Sequence, residues 1–123
     1  MLLAQKNRDN VMMQIYHNPR CSKSRQTLAL IEQAGKAAEI ILYLETPPER
    51  DEIVALAKAL GCGPRDMMRR GEAPYKDLDL ANADDAALFD AMAAHPILIE
   101  RPIVVRGQKA IIGRPPERVQ ELF

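Results

Sequence analysis

The chain has 123 residues, enough for one substantial hydrophobic core but not for two. Apolar residues make up 47% and charged residues 28%, an ordinary globular balance. The formal net charge is zero, which excludes a global pull toward nucleic acid or anionic membrane, so any anion site has to come from a local basic cluster.

No stretch approaches the roughly 18 consecutive apolar residues that suggest a membrane span. The leading MLLAQKNRDN is too short and polar for the apolar region of a signal peptide. Residues 1–12 read as a loose extension, and a single domain is expected over 13–123. With two cysteines and no export signal, the expected compartment is the reducing cytoplasm. Cysteine there is more often reactive or buried than paired.

VMMQIY (11–16) is a short apolar run consistent with a buried strand, and HNPRC follows as a loop. Ser22 or Ser24 can cap the next element, KSRQTLALIEQAG, whose Leu28, Ile31 and Ala34 fall at helical spacing before the stop at Gly35. EIILYL (39–44) reads as a second buried strand. After ETPP, residues 49–60 form a helix with Ile53, Leu56, Ala57 and Leu60 on one face, broken by GCG. PRDMMRR is a short helical piece, GEAPYKDLDLAN a loop, and DDAALFDAMAAH a helix stopped by Pro96. Ile103–Val105 and Ala110–Ile112 flank RGQK as a β-hairpin, and Pro115 opens a last helix, PPERVQELF.

This α/β order, β-α-β, then helices, then β-β-α, is that of the thioredoxin fold with a helical insertion between its halves. Pro102 directly precedes the third strand, where that fold carries a cis-proline facing the active cysteine.

The topology sets Cys21 between the first strand and the first helix. A helix N-terminus has free N–H groups and about half a positive charge, which favour a thiolate over a thiol. Arg20, Lys23 and Arg25 push the same way, and His17 can add a donor. A buried, inert thiol is the common fate of free cysteine, but these polar and basic neighbours oppose it. Position 24 is Ser24, so there is no C-x-x-C pair, and the residue six after Cys21 is Thr27, so there is no C-x5-R phosphatase loop. Two cysteines and two scattered histidines make no metal site. Cys62, between two glycines at a helix break, reads as a small turn residue, and His95 as a surface or capping residue. Three arginines, Arg69, Arg101 and Arg114, suggest an oxyanion pocket, since the planar guanidinium fork suits tetrahedral anions.

YHNPRCSKSR, ILYLETPP, the MMRRGEAPY region, HPILIERPIVV and IGRPPE together resemble the glutaredoxin-dependent arsenate reductase family. The resemblance runs from about Met13 to the C-terminus with the motifs in order. It implies that Cys21 attacks arsenate and forms a thiol–arsenate adduct. Glutathione as co-substrate then supplies the second thiol and glutaredoxin the next, and arsenite is released. It further implies that Arg69, Arg101 and Arg114 bind the oxyanion, with the spacing to Pro74-Tyr75 selecting Arg69 over Arg70. His17, Ser24 and Arg25 are expected to support the thiolate. No bound cofactor or metal and no nucleic-acid or membrane partner is expected. Arg20 and Lys23 stand where well-characterised members tend to carry small residues, and the chain ends earlier than theirs, a shape closer to a chromosomal branch of the family. Two other readings stay open: a glutathione-linked thiol transferase on another substrate, and a polymerase-binding regulatory adaptor of the same fold.

Overall fold

The computed structural model describes residues 12–123. Apart from exposed Met12, the expected extension lies outside the described residues, as does the first residue of the expected strand, Val11. The first half of the domain comprises β1 (Met13–Tyr16), α1 (Ser22–Gln33) and β2 (Ala38–Ile41). α2 (Arg50–Leu60), α3 (Ala73–Asp77) and α4 (Asp85–Ala94) follow, with 3-10 turns at Pro64–Met67, Leu80–Asn82 and Pro96–Leu98. β3 (Ile103–Arg106), β4 (Lys109–Ile112) and a 3-10 helix over Pro116–Leu122 close the chain. The sheet order is β2-β1-β3-β4, with β1 parallel to β2 and antiparallel to β3. Among the described residues, no helix is long and apolar enough to cross a membrane.

Strand periodicity divides the core between the two faces of the sheet. Met13, Ile15, Val104 and Ile111 pack on one face with Ile31 of α1 and with Val119 and Leu122. Tyr16, Ile103 and Ala110 pack on the other, with Ile53 and Leu56 of α2 and Leu88 and Met92 of α4. The parallel β1–β2 pair is joined through α1, and the antiparallel β3–β4 pair turns through Gly107, whose φ of +65° suits a residue without a side chain.

Four expectations change. The second strand spans Ala38–Ile41 instead of 39–44, and Glu39 and Ile40 are exposed. It is an edge strand paired only to the four residues of β1, so it ends where its partner ends. The chain then turns, sending Tyr43 into the core and Leu44 to the surface. The expected loop over 71–82 contains α3 and a 3-10 turn, started by proline near the helix N-terminus. The buried stripe of α1 is Ser24, Thr27 and Ile31, with Ala34 exposed as the C-cap. The last helix is 3-10, because its apolar residues Pro116, Val119 and Leu122 recur every third position, and all three are buried.

Polar Thr27 is tolerated on the buried face of α1 because its hydroxyl donates to the Lys23 carbonyl at 2.8 Å. Against it lies Gly113, just beyond β4, whose N–H donates to the Pro102 carbonyl at 2.9 Å. A Cβ at Gly113 would stand 2.5 Å from Thr27 Oγ1 and 2.8 Å from Pro102 Cγ, so α1, Pro102 and the end of β4 meet here too closely for any side chain. Gly113→Ala is expected to cost about 1–3 kcal/mol of stability by overpacking. Gly63→Ala, with nothing within 4 Å of its added Cβ, should stay within about 0.5 kcal/mol. Urea unfolding of the two variants checks this, and equal stabilities would contradict the close contact.

Candidate active site

Sheet register brings distant segments of sequence to one end of the sheet. Tyr16, the last residue of β1, lies opposite Ile41 of β2 and Ile103 of β3, and Ile103 lies opposite Ile112 of β4. The loop after β1, the segment after β2, the Glu100-Arg101-Pro102 approach to β3 and the Gly113-Arg114 exit from β4 therefore all meet at that end. A fifth segment is attached through the isolated bridge Met68–Ile99. There the Arg69 N–H donates to the Leu98 carbonyl at 2.7 Å and the Glu100 N–H to the Met67 carbonyl at 2.8 Å. The Arg101–Pro102 and Arg114–Pro115 peptides are both cis.

Cys21 is the N-cap residue of α1, with extended backbone and no acidic residue in the first turn to oppose a negative sulfur. Its own N–H donates to the Asn18 carbonyl at 3.0 Å, which curls the loop, and Asn18 Oδ1 accepts from the Arg20 N–H at 3.0 Å. Burial pushes the thiol pKa up. The Ser24 N–H, the Arg101 charge, the Lys23 N–H and the Arg114 guanidinium outweigh it, and the net shift is downward. The helix end and two arginines therefore favour the thiolate.

The expected supporting residues divide by role. Ser24 acts on the sulfur through its backbone N–H, while its buried hydroxyl pairs with His17 Nδ1 at 2.6 Å and accepts from the Asn18 N–H at 3.1 Å. His17 is itself buried, and burial first, then the Arg25 charge, lowers its pKa. It is thus a neutral imidazole at neutral pH and braces the loop without lending charge. Arg25 is exposed and donates to the Pro19 carbonyl at 2.8 Å, so it too fastens the loop.

The three arginines line one cleft of about 520 Å³. Arg114 also reaches toward the Cys21 sulfur, Nη1 to Sγ at 3.9 Å, and the same nitrogen donates to the Arg101 carbonyl at 3.2 Å. Arg69 pairs with Glu72 at 2.8 Å and Arg101 with Glu100 at 3.0 Å, both half-buried. Arg70 borders the cleft as well but is exposed, bonding the Arg65 carbonyl and Asp66. Glu72, three residues after Arg69, has a spacing that allows pairing, whereas the adjacency of Glu100 to Arg101 carries no such signal in the sequence. Cys62 lies apart from this group: it packs half-buried against the core beyond α2, and burial, then Asp66, raises its pKa. Both cysteines are free.

Sheet order and a cysteine at the N-cap position of the first helix together define a thioredoxin-like protein whose thiol is reached by an arginine of a basic cleft. The sequence model of the ArsC family matches residues 16–122, and the chain belongs to that family. It is 52% identical to the arsenate reductase of Haemophilus influenzae over 112 residues, 89% of this chain and 97% of the relative. It is 50% identical to an uncharacterized protein of Escherichia coli, YfgD, over 113 residues, 89% of this chain and 95% of that one. The solved arsenate reductase of Vibrio cholerae superposes with a TM-score of 0.88 at 53% identity, covering 91% of this chain and 98% of that structure.

Because the shift of Cys21 is downward, the rate of its alkylation by neutral iodoacetamide should reach its plateau at lower pH than for an ordinary thiol. Arg101→Ala or Arg114→Ala should move the midpoint up. A wild-type midpoint at or above the ordinary thiol value, or one unmoved by both substitutions, would count against this electrostatic account.

Proposed function

We propose that the protein is a cytoplasmic arsenate reductase that works through a Cys21 thiol–arsenate adduct resolved by glutathione and glutaredoxin. One observation carries the reading: Arg114 borders the arginine-lined cleft and also reaches the Cys21 sulfur, so an anion held there lies beside the nucleophile. Relatives of similar length that bear the name arsenate reductase support it.

The thiolate attacks arsenic, forming a sulfur–arsenic bond, and one arsenate hydroxyl leaves as water after taking a proton from solvent. Arsenic is still As(V) at that point. Arg69, Arg101 and Arg114 hold the remaining oxygens, and their fixed positive charge stabilises negative charge that builds up on them during attack. The glutathione thiolate then attacks the Cys21 sulfur. The electron pair of the sulfur–arsenic bond passes to arsenic, which departs as As(III) arsenite, and a Cys21–glutathione disulfide remains. A glutaredoxin thiol takes over the glutathionyl group and returns Cys21 to its thiolate. The thiols external to this chain thus supply the reducing electrons, consistent with the absence of a C-x-x-C pair.

Arsenate-dependent NADPH oxidation, coupled through glutathione, glutaredoxin and glutathione reductase, tests the reading. Turnover should vanish in Cys21→Ser. Arg101→Lys keeps the charge but loses the bidentate fork, so kcat/KM for arsenate should fall by roughly 10- to 100-fold while reduction of a small glutathione mixed disulfide persists. A folded wild type with no arsenate turnover would move the activity to another thiol substrate. Parallel loss of both activities in Arg101→Lys would remove the oxyanion role of Arg101.

A further inference from the structure

Among the described residues, two buried side-chain polar atoms have no hydrogen-bond partner: the Tyr43 hydroxyl and Arg101 Nε. Buried polar groups are satisfied in the great majority of cases, so an unpartnered pair asks for an explanation. Arg101 lines the arginine cleft, whereas Tyr43 takes no part in the proposed steps of arsenate reduction. Tyr43 follows β2 by two residues, and β2 ends where the His17 N–H donates to the Ile41 carbonyl at 2.8 Å. It therefore leaves the sheet at the end that carries Cys21, Arg101 and Arg114. Its side chain is fully buried in the cluster that holds Met68, Ile99 and Ile103, neighbours in sequence of Arg69, Glu100 and Pro102.

We propose that Tyr43 is a further residue of the oxyanion site, its hydroxyl serving with Arg101 Nε as donors that the bound oxyanion satisfies. This rests on the reading of the cleft as an oxyanion site. A phenol suits the task because it donates one hydrogen bond without adding charge. Burial raises its pKa, and the opposing pull of Arg101 and Arg69 does not cancel that, so the group stays protonated and able to donate at neutral pH. The charges of Cys21 and Glu100 also raise that pKa. Arg69 and Arg101 rest on Glu72 and Glu100. Tyr43 is fully buried and does not itself line the cleft, so its hydroxyl gains an acceptor only when these arginines turn from their carboxylates toward an incoming anion. A tetrahedral oxyanion has oxygens enough for the arginines and for this inner donor together.

Tyr43→Phe keeps the ring and removes only the donor. The readout is protection of Cys21 from iodoacetamide by added arsenate, and separately by inorganic phosphate, with mass spectrometry of the Cys21 peptide and Tm recorded alongside. The expected result is an unchanged Tm, an unchanged alkylation rate without anion, and protection that needs roughly 10- to 100-fold more arsenate than in wild type. Equal protection of wild type and Tyr43→Phe would overturn the role of Tyr43 and leave the functional reading standing. A lowered Tm with a changed alkylation rate in the absence of anion would show that the hydroxyl serves the fold, and would also overturn it. Wild type unprotected by either anion would remove the oxyanion site itself, and this proposal with it.

Discussion

The site depends on the register of four short strands. Because Tyr16, Ile41, Ile103 and Ile112 share one end of the sheet, segments far apart in sequence converge there without any long loop having to reach. A slip of one residue between β1 and β3 would turn each side chain to the opposite face and exchange Ile103 and Val104, each now fully buried in its own half of the core. Gly113 tightens the same point, since the contact of α1 with Pro102 and the end of β4 leaves no room for a Cβ. Arg114 is the next residue, so the packing that excludes a side chain at 113 also fixes where the guanidinium begins. Fold stability and thiol chemistry meet in that contact.

Electrostatics then decides what the convergence can do. The sulfur receives N–H groups from the first turn of α1 and the charges of two arginines, with no carboxylate in that turn to compete. The arginines of the cleft would repel one another if left alone. Glu72 and Glu100 each hold one of them, and both pairs are partly exposed, so each is modest in energy and open to exchange with an incoming anion. The Cys21 loop is held by the His17–Ser24 pair, the Asn18 turn and the Arg25 bond to the Pro19 carbonyl.

Much of this was legible in the sequence because its signals are local. Proline and glycine punctuation marked the helices, and the apolar runs Ile103–Val105 and Ala110–Ile112 around RGQK marked the hairpin. The basic, polar surroundings of Cys21 set it apart from a core thiol. What escaped was set by tertiary context. EIILYL has the composition of a strand through Leu44, yet an edge strand can run no further than its partner, and that limit belongs to β1. The buried face of α1 runs through Ser24 and Thr27, which no apolar periodicity would choose, because hydrogen bonds to the loop and to Lys23 satisfy them. For PPERVQELF, a period of three sat beside one of 3.6 in so short a stretch that only packing against α1 and the sheet chose the 3-10 form. Of the cleft, the arginines came from motif and spacing. Tyr43, a proposed further donor that does not line the cleft, lies inside an apolar run, where an aromatic residue reads as core.

The most direct test of the account is a crystal structure of the protein soaked with arsenate, with arsenic located by its anomalous scattering. The account predicts arsenic at the Cys21 sulfur, bonded to it or in contact, with its oxygens facing the guanidinium groups of Arg69, Arg101 and Arg114. Arsenic bound away from Cys21, or a cleft that stays empty at saturating arsenate while Cys21 remains a free thiol, would contradict it.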